Sequence, residues 1–466
     1  MVASEAAPYA KTGGLSDVLS SLPRALTALG HRVAVLLPRY LETQKFSMRR
    51  IWDHLPLQVG PHRFDASVLQ SSDDDTFLFL DIPELYGRLG LYSNAGIDFP
   101  DNAIRFAALA RGALEVARRI FLPDIFHCHD WQAGLVPVYQ RQAAGDPTFL
   151  RIPTVHTIHN LGYQGLFPAS VLAQIGVDPA FFNPSGFEFY GQVNYLKAGL
   201  VFSDWLTTVS RHYAEEIQTP EFGFALDGLL RDRAPVLTGI LNGVDYDQWD
   251  PATDSLIPSE YSAGALSGKA ECKAALLREF NLPAEANVPL LGIVSRFTSQ
   301  KGCDLIAEAL PDLFADEKCC FVALGSGEAE YESLFRDLAL RFPDRVGVRI
   351  GYDDGLAHRI EAGADIFLMP SRYEPCGLNQ IYSLRYGTVP VVRATGGLDD
   401  TIDEETGYKF ALYSADAFIA AIRRAFIRYG NPREWQAMMR IGMARDFSWD
   451  RSAREYDKLY WRLLNP

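Results

Sequence analysis

The densest chemistry in the chain lies in Pro370-Ser-Arg-Tyr-Glu-Pro-Cys-Gly-Leu-Asn-Gln380. An apolar run, Ile366-Phe-Leu-Met369, precedes it and reads as a buried parallel strand. Cys376 to Tyr386 reads as a helix, with Pro375 and Gly377 at its entrance. Glu374 therefore stands at the carboxyl end of a strand, beside a helix N-terminus. Open α/β sheets bind ligands at that edge, and helix N-termini attract anions. A carboxylate placed there repels phosphate, so the hydroxyls of a sugar are the partner it suits. The same position also suits a surface carboxylate that caps the helix.

Other groups give Glu374 company. Arg296 and Lys301 follow an apolar run, Leu290-Leu-Gly-Ile-Val294. Arg offers a planar fork and Lys a point charge, a pair able to clamp a pyrophosphate; two solvated charges would look the same. Lys11-Thr-Gly-Gly-Leu-Ser-Asp17 joins a strand end to a helix, an arrangement shared by phosphate cradles and plain tight turns. Thr395-Gly-Gly-Leu-Asp-Asp400 repeats its T-G-G-L-x-D pattern in the second half. Gly325-Ser-Gly327 has Glu330 where a dinucleotide fingerprint needs its third glycine, so NAD is not indicated. His127, His129, Asp130, His156 and His159 could suggest a metal. However, His127 and His129 are expected on opposite faces of a strand end, and no H-x-x-x-H or Cys/His set exists. No metal site is assigned. His159, Asp130 and Glu374 fit better as hydrogen-bonding groups for a polyol. There is no G-x-S-x-G nucleophile. A hydrolase built on Asp130 and Glu374 would have no use for a diphosphate clamp.

Alternating strands and helices must position these groups. Short apolar strands are expected at Val2–Ser4, Val33–Leu37, Phe77–Leu80, Ile125–His127, Thr154–Ile158, Leu206–Val209 and Val236–Leu241. Residues 41–76 and 86–102 read as irregular, with Asp73-Asp-Asp75 a solvated run. A second series begins at Leu290 and continues at Phe321–Leu324, Val346–Ile350, Ile366–Met369 and Val389–Val392. Each strand delivers polar residues at one edge, as carboxyl ends of parallel strands must. The stretch 250–268, rich in Pro, Ser, Gly and Asp, is expected to be a linker.

The 466 residues exceed what one core usually serves. A net charge of −14 argues against nonspecific nucleic-acid or anionic-membrane partners. No apolar run is long enough for a membrane helix, and no leader peptide is evident. The six cysteines form no C-x-x-C pair, so a reducing cytoplasm is the expected location. Oligomeric state leaves no signal.

The motifs KTGGLSDV, HCHDWQAGL, TIHNLGYQG, LNGVD, SRFTSQKG, GYDD, PSRYEPCGLNQ and TGGLDDT occur in the order seen in bacterial glycogen synthases and plant starch synthases, and the chain resembles that family over nearly its whole length. The resemblance implies an α/β GT-B fold, two Rossmann-like doubly wound domains with a cleft between them. Domains are expected at 1–248 and 249–448, with a C-terminal helix, 449–466, crossing back. The implied reaction is retaining transfer of glucose from ADP-glucose to the non-reducing 4-hydroxyl of an α-1,4-glucan, without cofactor or metal. Carried over by motif, Lys11, Gly13 and Gly14 face the donor diphosphate. Arg296 and Lys301 hold it with Thr395, Gly396 and Gly397, beside Cys376, Gly377 and Leu378. Glu374 grips the transferred sugar, His159, Asp130 and Asn242 line its pocket, and Tyr352 stacks on the base. Tyr92, Asn160 and Tyr163 fall on the acceptor side. Two departures stand out. The first strand is short. Also, the second Glu that related transferases carry eight positions after the first is here Tyr382. A UDP-glucose enzyme and a non-catalytic glucan-binding homologue are the alternatives.

Overall fold

The computed structural model describes residues 1–94, 96–149, 151–283 and 285–465. The chain forms two compact units. The first takes residues 1–209, 214–243 and 449–465; the second takes Ser210–Tyr213 and Val244–Ser448.

In the second unit six parallel strands form one sheet. Its order is Val346–Ile350, Cys320–Gly325, Leu290–Val294, Ile366–Met369, Val389–Arg393, Tyr408–Phe410. Numbered by chain order this is 3-2-1-4-5-6, the doubly wound arrangement. The strand order reverses between Leu290–Val294 and Ile366–Met369, which pair through Leu291 with Ile366 and Gly292 with Phe367. Those two strands are buried along nearly their whole length, as a sheet covered on both faces requires. The three-residue strand Tyr408–Phe410 escapes a pattern reading because one of its residues is a lysine.

The first unit is wound the same way around a first strand reduced to one bridging residue. Val2 bridges Cys128 on one side and Leu36 on the other, in parallel. Its N–H donates to His127 and its carbonyl accepts from His129. Beyond Cys128 lie Phe126–His129, Thr154–Ile158, Trp205–Thr208 and Leu237–Gly239; beyond Leu36 lie Val35–Pro38 and Phe77–Asp81. The helix Gly14–Ala28 buries Leu15, Val18, Leu19, Leu22 and Leu26, a spacing of three and four that faces one side. The helix Trp449–Leu464 shares that core through Trp449, Ala453, Tyr456, Leu459 and Tyr460.

Three expectations need correction here. Residues 41–76 are not irregular: Met48–Val59 and His62–Ser71 form an antiparallel hairpin. Leu55, Leu57 and Val59 are buried and alternate with the exposed His54, Pro56 and Gln58, a period of two confined to the end of a strand whose earlier residues include Arg49, Arg50 and Asp53. The Pro/Ser/Gly/Asp stretch 250–268 is no linker, because it packs within the second unit. Asp254 there is 6% exposed and accepts from Tyr386 at 2.5 Å, with His358 Nδ1 at 2.8 Å. Beside them the Trp249 indole lies between the rings of His358 and Tyr382, at 3.7 and 4.0 Å. Finally, the helix expected from Cys376 begins at Asn379, because Gly377 turns into the left-handed region at φ 71°.

His156 sits in the fully buried strand Thr154–Ile158 with both ring nitrogens unpartnered among the described residues. Gly199 lies against it so closely that a Cβ there would meet the imidazole at 2.3 Å. Burial pushes the His156 pKa down to about 3, so the folded chain refuses a proton that the unfolded chain takes near pH 6.5. Its neutral form is fully compatible with folding above that value, and stability is lost as pH falls from there toward 3, by about 1.4 kcal/mol per pH unit for each such group. The expected result for His156→Leu is a shallower loss of stability between pH 6 and pH 4, by close to one proton, in denaturant titrations at several pH values. An unchanged slope would show that His156 is not held neutral.

Candidate functional site

The switch point of the second unit's sheet brings two of the sequence candidates together. The loop after Leu290–Val294 carries Lys301, and the stretch after Ile366–Met369 carries Glu374. Lys301 Nζ donates to Glu374 Oε2 at 2.5 Å, and Ser371 Oγ donates to the same oxygen at 3.1 Å. Glu374 is 5% exposed, so it is no surface cap. Desolvating a carboxylate is costly, and a cation with a hydroxyl donor offsets that cost. Ser371 was not anticipated, although it lies three residues ahead of Glu374 in the same motif.

Arg296, from the same loop as Lys301, is exposed and makes no ion pair with a described residue. Lys301 keeps two further N–H groups beyond the one given to Glu374. Together they present positive charge in an acidic chain. The Thr395–Gly397 motif behaves differently from a bare anion cradle. The Gly397 N–H donates to the Glu374 carbonyl at 3.0 Å and the Leu398 N–H to Thr395 at 3.1 Å. A Cβ on Gly397 would lie 2.1 Å from the Cys376 carbonyl oxygen. Glycine here lets the Cys376 backbone approach, so the two motifs brace each other. Cys376 is buried, with its carbonyl accepting from Gln380 Nε2 at 3.1 Å, a packing role. Asp400 accepts from the amides of Arg211 and His212 at 2.6 and 3.0 Å, which fixes the short Ser210–Tyr213 segment of this unit. Tyr352 projects at 81% exposure, with its hydroxyl donating to Asp354 at 3.2 Å. Tyr382, the departure from related transferases, is committed to the Trp249 stack.

The first unit assembles a second set around its own switch point, where Val2 neighbours Phe126–His129. Glu5, unnoticed in the sequence, is the hub. Its carboxylate is 4% exposed and accepts from Thr12 N–H at 2.5 Å, Thr12 Oγ1 at 2.6 Å and the Tyr92 hydroxyl. It therefore pins the turn that precedes Gly14–Ala28. Lys11 Nζ at that turn donates to Asp17 at 2.7 Å. A Cβ on Gly13 or Gly14 would meet no atom of the described residues within 4 Å, so no packing among them demands glycine at either place. Tyr92 is packed against Phe106 and Trp131, and its hydroxyl also meets Ser4 at 2.7 Å. It supports the turn more than it presents a ring.

Asp130 follows the strand end in a left-handed conformation, φ 54°, and its Oδ1 accepts the His159 N–H at 2.7 Å. Burial raises its pKa to about 7, opposed by amide hydrogen bonds from His159 and Asn160. His159 Nε2 lies 3.0 Å from His129 Nδ1, and burial lowers the His159 pKa to about 3. Asp130 therefore holds the His159 backbone, while burial keeps the His159 imidazole neutral beside His129. His127 and His129 are stacked at 4.2 Å on one face. Residues two apart on a strand share a face, so the expectation of opposite faces is wrong. Among the described residues no group of three His, Cys, Asp or Glu is arranged to hold a metal ion. Asn242 is 6% exposed with its Oδ1 unpartnered among the described residues, while Asn160 accepts from Gly162 at 3.0 Å and Tyr163 is 52% exposed.

The chain is similar to known proteins along its whole length. The family described as starch synthase catalytic domain matches residues 1–232, and the one described as glycosyl transferases group 1 matches residues 278–437. A glycogen synthase of Koribacter versatilis is 51% identical over 472 residues, 98% of this chain and 96% of its own. Another, from Anaeromyxobacter sp., is 50% identical, covering 100% of this chain and 99% of its own. The catalytic domain of starch synthase IV from Arabidopsis thaliana, solved with ADP and acarbose bound, superposes with a TM-score of 0.92 at 33% identity, over 100% of this chain and 99% of its own. Sucrose-phosphate synthase of Thermosynechococcus elongatus, at 20% identity and a TM-score of 0.63, shares the fold. With the GT-B architecture, the paired Lys301 and Glu374, and relatives half identical along its whole length, the chain belongs to the glycogen synthase and starch synthase family of retaining glycosyltransferases.

Proposed function

We propose that the chain takes glucose from ADP-glucose and adds it, with retention, to the 4-hydroxyl at the non-reducing end of an α-1,4-glucan, releasing ADP. The observation that carries this reading is the buried Glu374, held by Lys301 and Ser371 at the switch point of a doubly wound sheet. A carboxylate fixed there accepts hydrogen bonds from sugar hydroxyls. Lys301 and Arg296 stabilise charge developing on the departing diphosphate. On the first unit, Lys11 is assigned to the donor phosphates, with the uncrowded Gly13 and Gly14 beside it. His159, Asp130 and Asn242 are assigned to the transferred sugar, Tyr352 to the base, and Asn160 and Tyr163 to the acceptor.

Asp130 already receives backbone N–H groups, and Glu374 is tied to a lysine. Neither is placed as an unencumbered nucleophile. The reading is therefore a same-face displacement. The C1–oxygen bond to the phosphate breaks, the new C1–O4 bond forms on that face, and the acceptor proton passes to the departing phosphate. No metal has a part in these steps. A glucosyl-enzyme trapped on Asp130 or Glu374 would overturn it.

Side-by-side transfer assays on glycogen, with ADP-glucose and UDP-glucose and a chelator present, are expected to give incorporation from ADP-glucose. Preference for UDP-glucose would move the enzyme to another branch of the fold, and loss of activity in chelator would contradict metal independence. Glu374→Ala is expected to lower turnover by about a hundredfold or more while ADP affinity is largely kept. A parallel fall of both would remove Glu374 from the sugar. Glu5→Gln is expected to raise the KM for the donor several-fold and to change that for glycogen less, because two of the three hydrogen bonds to the carboxylate come from Thr12 in the Lys11–Gly14 turn; equal shifts in both constants would contradict that role.

A further inference from the structure

His129 has been given no role above, yet its fully buried ring touches one that has. Its Nδ1 lies 3.0 Å from His159 Nε2, while its own Nε2 is buried with no partner among the described residues. His129 ends the strand Phe126–His129, and the next residue, Asp130, accepts the His159 N–H at 2.7 Å. Two consecutive residues at one strand end therefore hold His159 at two points, Asp130 by its backbone and His129 by its ring.

The His129 ring has little freedom. The His127 imidazole lies against it, with 4.2 Å between centroids and 30° between planes. His127 is itself engaged through both nitrogens, with the Tyr460 hydroxyl at 2.7 Å and Thr157 Oγ1 at 2.5 Å. Tyr460 and Thr157 are buried as well. A ring enclosed in this way keeps one rotamer.

Burial lowers the pKa of all three imidazoles, so each is neutral and carries a single N–H. The contact between His129 and His159 then contains one proton, and the side it sits on decides both tautomers. Donation from His159 Nε2 would put the His129 proton on Nε2, a buried N–H with no acceptor, and would leave His159 with a bare Nδ1. Donation from His129 Nδ1 leaves only a lone pair on the enclosed Nε2, and puts the His159 proton on Nδ1. Buried N–H groups without an acceptor are rarer in proteins than under-used acceptors, which favours the second arrangement. His159 is half-buried and its Nε2 is committed to His129, so Nδ1 is the nitrogen left for a ligand.

We propose that His129 is a positioning residue that fixes the tautomer of His159: its Nδ1–H donates to His159 Nε2, and His159 consequently presents Nδ1–H, a donor, to a hydroxyl oxygen of the transferred sugar. The proposal rests on the reading that places His159 at that sugar. Asp130 sets where the ring stands, and His129 sets which nitrogen bears its proton. Without His129, His159 is free to populate both tautomers, and the one with a bare Nδ1 cannot donate.

The test uses the whole chain with ¹⁵N-labelled histidine, as wild type, His159→Ala, His129→Leu and His129→Asn. Two-bond ¹H–¹⁵N spectra report the tautomer, with the His159 signals identified by their loss in His159→Ala. Wild-type His159 is expected to be protonated on Nδ1 and bare on Nε2; the reverse pattern would overturn the proposal without any variant of His129 having to fold. His129→Leu is expected to mix the two tautomers of His159 and to lower kcat/KM for ADP-glucose by about tenfold, the loss of one neutral hydrogen bond to the sugar, with the KM for glycogen unchanged. His129→Asn has nearly the same volume and places an amide N–H where Nδ1–H stood, so it is expected to restore the single tautomer and most of the activity. Equal activity in the Leu and Asn variants would overturn the role of the hydrogen bond and leave His129 as packing. Full turnover in His159→Ala would instead overturn the placement of His159 at the sugar, whatever tautomer the spectra show.

Discussion

A carboxylate cannot be buried alone, and three such groups set the local architecture at the strand ends of this protein. Glu374 is held by Lys301 and Ser371, Glu5 by Thr12 and Tyr92, and Asp130 by the backbone of the loop it faces. Each lies where a parallel strand ends and the chain must choose its next direction. The desolvation cost of the charge is offset only if those donors stay in place. The buried carboxyl group therefore enforces the loop geometry as much as the loop holds the group. The Lys11–Gly14 turn, the His159 loop and the Glu374 stretch are each tied to such a group.

The two units solve the same winding problem with unequal resources. The second has a complete six-stranded parallel sheet, so its switch point lies between two well-paired strands. The first spans its switch point with a single residue, Val2, bridging both neighbours. The backbone hydrogen bonds between residues 1–3 and His127, His129 and Leu36 carry what a longer strand would carry. The helix Trp449–Leu464 adds its apolar face to this thin region.

Much of this was legible in the sequence. Strands buried on both faces appear as short apolar runs, and Thr154–Ile158 and Ile366–Met369 were read at their boundaries. The hairpin Met48–Val59 and His62–Ser71 was not, because one face is charged and only alternate residues reach the core. Glu374, Lys301, Asp130 and His159 could be named because each belongs to a motif at a strand end. Glu5 could not. It is one carboxylate among fifty-eight acidic residues, and its meaning appears only when the turn six residues later folds back onto it. The role of Gly397 was likewise hidden, since glycine before a helix signals an anion site and a close backbone contact equally.

The stack of Trp249 between His358 and Tyr382 has an optical consequence. The second unit has only one other tryptophan, Trp435. An indole pressed between an imidazole and a phenol ring has nearby partners for excited-state quenching, so its emission is weak while the stack stands. Loosening of the segment that holds Asp254 would separate the rings and brighten it. The second unit thus carries an intrinsic fluorophore whose intensity reports on its own packing, a signal that tryptophans in the first unit would not share.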